Sequence, residues 1–255
     1  ISEIYRIMKH SFLFSSPSKI RAYISLETLD LYFKNSCMSI SENIQKIKSE
    51  IPESVTLVAV SKTKPTSDII LAYDGGQRIF GENKIQEMAS KYEELPKDIQ
   101  WHMIGNVQTN KIKYMAPFVN LVHGVDREKV LKELNKQAVK NERKIDCLLQ
   151  VHIAKEDTKF GFSQDELIDL SEHLDDYANV NVIGLMGMAT NTGNKNQIKL
   201  EFEGLRSLFQ NLKEKLGGDF NTLSMGMSGD YNLAIEKGSN MIRVGSSIFG
   251  ARNYV

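Results

Sequence analysis

From Val55 onward the chain alternates between two hydrophobic patterns. Short apolar runs rich in β-branched residues are each followed by a stretch whose apolar residues recur every three or four positions. The first pattern predicts a buried strand and the second an amphipathic helix. The expected strands are TLVAVSK (56–62), RIFGE (78–82), QWHMIGN (100–106), NLVHGVD (120–126), DCLLQVHIA (146–154), NVIGLMGMAT (181–190), TLSMGMS (222–228) and NMIRVGSSIFG (240–250). Helical stretches fall between them, such as TSDIILAYDGG (66–76), NKIQEMASKYEEL (83–95) and REKVLKELNKQAVKNE (127–142). Upstream, SISENIQKIKSEIP (39–52) reads as a further helix with Ser39 or Ser41 as its N-cap.

Eight strands alternating with helices in roughly 200 residues predict an α/β fold of one kind, a single (β/α)₈ TIM barrel. An open doubly wound sheet is the alternative. It wants a glycine-rich first turn, and Lys62-Thr63-Lys64-Pro65 is no such turn. In a barrel, ligands bind at the C-terminal ends of the strands. Lys62 closes the first strand and so falls in that zone.

Residues 1–37 break the pattern. They are aromatic and serine-rich with weak periodicity, and they match neither a secretory signal nor an acid-poor transit peptide. The expected division is an N-terminal extension at 1–37 and a barrel at 38–255, with the functional protein starting near Met38. The remaining composition excludes more than it assigns. Of 255 residues 41% are hydrophobic and 25% charged, as in ordinary globular proteins, and 32 basic residues balance 32 acidic ones. That neutrality gives no support for a nucleic-acid or anionic-membrane partner. Two cysteines without a CxxC spacing fit a reducing compartment, and no apolar run spans a bilayer, so a cytoplasmic protein is expected.

Lys62 carries the candidate chemistry. A strand-end lysine is ordinarily a solvated one. In a barrel mouth, desolvation and the nearby Lys64 favour the neutral amine, which attacks an aldehyde where an ammonium does not. At the far end of the chain, Ser228-Gly229 follows the seventh strand and Gly245-Ser246-Ser247 follows the core of the eighth. Barrels often build a phosphate site from these two loops. An aldehyde-reactive lysine facing a phosphate site suggests pyridoxal 5′-phosphate (PLP).

Seven segments, AVSKTKP, FGENKIQE, WHMIGNVQTNK, KFGFS, GLMGMA, LSMGMSGDY and IRVGSSIFGAR, together resemble the pyridoxal phosphate homeostasis protein family, from about Met38 to Tyr254. These are single-domain barrels of the alanine racemase N-terminal-domain type, fold type III among PLP proteins. The resemblance implies that Lys62 matches the lysine forming the Schiff base. Ser228, Gly245 and Ser246 match the phosphate contacts, Arg243 the arginine facing the pyridine nitrogen, and Asn83 a pocket residue. His102, Gln108, Asn110 and Lys111 lie in a further family motif without a derivable role. Lys84 and Val107 depart from the commoner aromatic residue and leucine; Lys84 is expected to face solvent.

A guanidinium opposite the ring nitrogen cannot accept its proton, so the cofactor is a weak electron sink. The chain also ends a few residues past strand eight, without the second domain that supplies a tyrosine in racemases. The resemblance therefore implies a monomeric PLP carrier in vitamin B6 homeostasis, with possible transfer to apo PLP-dependent enzymes and little or no catalysis. A PLP-dependent amino-acid racemase or lyase is the alternative. His102, His123 and His152 form no HxH and are expected as hydrogen-bonded barrel histidines rather than metal ligands. Cys147 reads as a core thiol, the methionines of GLMGMAT and LSMGMS as barrel packing, and Lys159 as a solvated loop lysine.

Overall fold

The computed structural model describes residues 39–155 and 160–250. The boundary at 37/38, Lys159 and Tyr254 lie outside the described residues. The chain folds as strands β1 (Thr56–Val60), β2 (Ile79–Glu82), β3 (Gln100–Met103), β4 (Leu121–Val125), β5 (Ile145–Val151), β6 (Val180–Gly187), β7 (Thr222–Met227) and β8 (Met241–Val244). All pair in parallel and in chain order, and β8 pairs back onto β1 to close the barrel.

Helices cover the outside: α1 (Ile40–Glu50), α2 (Thr66–Asp74), α3 (Ile85–Glu94), α4 (Ile112–Met115), α5 (Glu128–Lys140), α6 (Gln164–Leu170), α7 (Lys195–Leu216), α8 (Tyr231–Glu236) and α9 (Ser246–Phe249). Ser39 is the N-cap of α1. Its hydroxyl accepts from Glu42 N–H while the Glu42 carboxylate accepts from Ser39 N–H at 2.7 Å, a reciprocal capping box. The eighth strand is shorter than its apolar run predicts. It stops at Val244, Gly245 turns the chain, and Ser246–Phe249 becomes α9. The run SQDELIDLSEHLDDY (163–177) has the spacing of one helix, but the helix stops at Leu170. There the Ser171 hydroxyl donates to Ile168 O, and a 3₁₀ turn follows at Leu174–Asp176.

Alternation along the strands separates two cores. Leu57, Ala59, Trp101, Met103, Val122, Leu149, Leu185, Leu223, Met225, Ile242 and Val244 point outward and pack under the helices. Val58, Leu121, Leu148, Met186 and Met241 point inward and fill the barrel floor. Cys147 is fully buried in the outer layer, where loss of water pushes its thiol well above the ordinary range. One position further along several strands, the interior turns polar, with His102, His123, Ser224 and Arg243 all buried. That polar layer is the base of the site.

Candidate functional site

A cavity of about 430 Å³ opens at the C-terminal end of the barrel. Its walls bring together Lys62, Asn83, Ser228, Arg243, Gly245 and Ser246, every residue expected there from the sequence. The walls also include Asn106, Gln150, Phe160, Met188, Met227 and Gly229, among others. So only part of the expected methionine packing holds: Met186 and Met225 are core residues, whereas Met188 and Met227 face the cavity. Gln108, Asn110 and Lys111 are not on its walls; they lie at a 3₁₀ turn beside α4. Lys84 is exposed and precedes α3, and Val107 is fully buried in the outer core.

The wall nearest β1 and β2 is built on a turn. β1 ends at Val60, and Ser61 through Lys64 reverse the chain, with Lys64 N–H donating to Ser61 O at 3.0 Å. Thr63, the third residue of the turn, has φ of 63°, in the left-handed region. A β-branched residue there costs about 1–2 kcal/mol, and such strain persists only where neighbours enforce it. The neighbours are a charge cluster in which Glu82 and Lys91 are buried and Glu87 is half-buried. The Lys91 ammonium donates to Glu82 Oε1 at 2.8 Å, to Glu87 Oε1 at 2.7 Å and to Ser61 O at 2.9 Å. Ser61 Oγ donates to Glu82 Oε1, and Thr63 N–H to Glu87 Oε1, both at 2.6 Å. Lys62 is thus flanked by two residues tied to one cluster. Burial raises the Glu82 carboxyl above its usual range even though Lys91 and Ser61 pull the other way. Its second oxygen has no partner. The Lys64 ammonium turns toward α9 and donates to Phe249 O at 2.7 Å.

The wall nearest β7 and β8 is made largely of backbone. Ser228 Oγ accepts from Gly245 N–H at 3.2 Å and joins the two loops. A side chain at Gly245 would press on Val60, with its Cβ 3.3 Å from the Val60 carbonyl oxygen. On the opposite rim, the backbone of Gly105 packs on Asn83 so closely that a Cβ would stand 2.5 Å from Asn83 O. Only glycine admits that approach.

Arg243 rises from the floor. It is 3% exposed and makes no ion pair among the described residues. Nη1 donates to Ser224 Oγ at 2.5 Å and Nη2 to Gly187 O at 3.0 Å. Ser224 Oγ is 3.2 Å from His123 Nδ1, and His123 Nε2 is 3.1 Å from His102 Nδ1. Because a guanidinium only donates, the simplest polarity sends the Ser224 proton to His123 and the His123 proton to His102. Burial lowers the His102 ring to about 3 and holds His123 well below its ordinary value, His102 and Arg243 adding to the effect. Burial also lowers Arg243 to about 10, still cationic at neutral pH. The expectation of hydrogen-bonded barrel histidines holds for His102 and His123; His152 lies just past β5 and is exposed. No group of three metal-ligating side chains occurs among the described residues.

Glu82, Glu87 and Lys91 were not expected at the site. Only the burial of Lys91 had a signal in the sequence, for it lies on the same stripe of α3 as the buried Ile85 and Met88; which groups it meets did not. A lysine inside an apolar stripe demands a buried partner.

The chain matches the family model for the alanine racemase N-terminal domain over residues 36–253. It is 40% identical over 231 residues to the pyridoxal phosphate homeostasis protein of Vibrio alginolyticus, covering 85% of this chain and 99% of that protein. The homologue of the same name in Aquifex aeolicus is 36% identical over 227 residues, covering 86% of this chain and 100% of that one. Among solved structures, PipY of Synechococcus elongatus without PLP superposes with a TM-score of 0.80 at 33% identity, covering 83% of this chain and 100% of that chain. The PLP-bound form of PipY gives 0.78. With a closed eight-stranded barrel and identities of this size across nearly the full length of its relatives, the chain belongs to the pyridoxal phosphate homeostasis protein family.

Proposed function

We propose that this chain binds PLP reversibly through Lys62 and serves intracellular vitamin B6 homeostasis as a monomeric cytoplasmic carrier, passing the cofactor to apo PLP-dependent enzymes. The charge of the cavity carries this reading. Lys62, Lys64 and Arg243 line it, and no carboxylate does among its described lining residues. In a chain with balanced charge, such a concentration of cations selects an anionic ligand.

The residues present fit the group. When bound, PLP supplies an aldehyde that condenses reversibly with a primary amine, releasing water, and a phosphate dianion. Lys62 offers the amine from its tethered turn. Ser228, Gly229, Gly245 and Ser246 offer a hydroxyl and backbone approach for the phosphate; a Cβ built at Gly229 meets nothing within 4 Å, so the backbone there faces open space. Arg243 offers the ring nitrogen a donor and no acceptor.

A racemase or lyase would need acids and bases at the ligand. Among the described lining residues there is no Tyr, His, Cys, Asp or Glu to serve as a second acid or base. That composition favours holding over turnover. No helix among the described residues is long and apolar enough to cross a membrane.

An absorbance spectrum before and after borohydride, with Lys62→Ala alongside, tests the binding. The wild type is expected to be yellow and to retain a reduced adduct on Lys62, and the variant to be colourless. A label on another amine would overturn the assignment. Incubation with L-alanine and L-serine tests the holding role, and rapid formation of the D-enantiomers would overturn it.

A further inference from the structure

We propose that Lys91, together with Glu82 and Glu87, is a positioning unit that presents Lys62 to the cavity, through its hold on the strained turn Ser61–Lys64. The inference rests on the reading of Lys62 as the cofactor-binding amine.

Three observations carry it. The Lys91 side chain is 8% exposed and Glu82 is fully buried, so a cationic side chain has been taken out of water at the back of the site. Desolvating such a pair is costly, and a well-packed apolar pair would hold α3 to β2 as well or better. The ammonium also does more than pair with carboxylates. It donates to the carbonyl of Ser61, the residue before Lys62, while the Glu87 carboxylate it neutralises accepts the N–H of Thr63, the residue after. Finally, Thr63 holds a positive φ that a β-branched residue avoids. The cluster contacts Lys62's flanking residues on the carbonyl side and the amide side and so fixes the direction in which Lys62 leaves the backbone. Lys91, Glu82 and Glu87 do not line the cavity, so the unit acts through the turn and not on the ligand.

The test separates positioning from folding and from phosphate binding. Lys91→Met removes the donor, and the double variant Lys91→Met/Glu82→Gln removes the unpaired buried charge that the single change leaves. Each is titrated with PLP and with pyridoxine 5′-phosphate, which has the ring and phosphate but no aldehyde. The double variant is expected to regain thermal stability lost by the single one. In both, PLP affinity is expected to fall at least tenfold, while pyridoxine 5′-phosphate affinity stays within about twofold of wild type. If the single variant does not fold, the double variant decides alone. Wild-type PLP affinity in the double variant, or equal losses for both ligands, would overturn the positioning role and leave the functional reading standing. Failure of the wild type itself to form an adduct at Lys62 would instead overturn that reading, and the inference with it.

Discussion

The two walls of the cavity solve the same problem by opposite means. On the β1–β2 side, the turn that carries Lys62, the proposed cofactor-binding amine, is held by a largely buried ion cluster that contacts the backbone on either side of it. On the β7–β8 side, glycines and serines bring main-chain groups to the surface, and a single hydroxyl joins the loops. On the proposed reading, the contrast follows from what each wall would hold. A covalent partner needs one atom in one direction, which costs strain and needs enforcement. A phosphate is met by several weak donors at once and tolerates small errors in each. The first wall is therefore expected to couple ligand binding to fold stability, and the second to be nearly independent of it.

That difference can be broken by substitution. Glu82→Ala leaves the Lys91 ammonium buried beside only one carboxylate. It is expected to destabilise the fold by about 3–5 kcal/mol, read by chemical denaturation. A loss under about 1 kcal/mol would mean that the cluster is open to water and the walls are alike. Next in size is an effect from below both walls. His102 is buried neutral with its ring lowered from 6.5 to about 3, so the unfolded chain takes up the proton first as pH falls. Stability from this group is therefore complete above pH 6.5 and declines as pH drops toward 3. Roughly 2 kcal/mol is lost by pH 5. Denaturation midpoints between pH 7 and 5 should flatten in a His102→Gln variant by that amount; an unchanged slope would show that the ring is already charged or hydrated. The smallest effect is expected on the second wall. Ser228→Ala removes the acceptor of Gly245 N–H and one proposed phosphate contact. Calorimetry is expected to show about 1 kcal/mol of lost PLP affinity and almost no change in stability. If stability falls by more than the affinity does, the backbone wall is structural after all.

The sequence showed one wall better than the other. The serine and glycine wall was legible because loops after strands seven and eight of a barrel are a known place to look, and Ser228, Gly245 and Ser246 line the cavity there. Lys62 was legible as a cation ending an apolar strand. What enforces Lys62 was not, because it is a contact between elements. Glu82 closes β2, Glu87 and Lys91 lie on α3, and a pattern within one segment cannot show that their charges meet behind a turn in another. Positive φ at Thr63 was equally hidden, since a threonine announces no left-handed turn where glycine or asparagine would. The polar layer was half visible: His102 and His123 were recognised as barrel histidines, but the link through Ser224 to Arg243 depends on strand register. Strand eight was read too long because SSIF is as apolar as a strand end, and only the turn at Gly245 shows that it is helical.

The barrel closes where β8 lays its hydrogen bonds against β1, and the Lys62 turn follows one of these strands while the Gly245 loop follows the other. The seam of the cylinder is therefore also the seam of the pocket. During synthesis the amine emerges early and waits unmatched until almost the whole cylinder has been made, and long-range pairing of this kind is slow. Under the proposed binding through Lys62, colour acquired on adding PLP would time the last step of folding, a built-in dye for the moment the cylinder shuts.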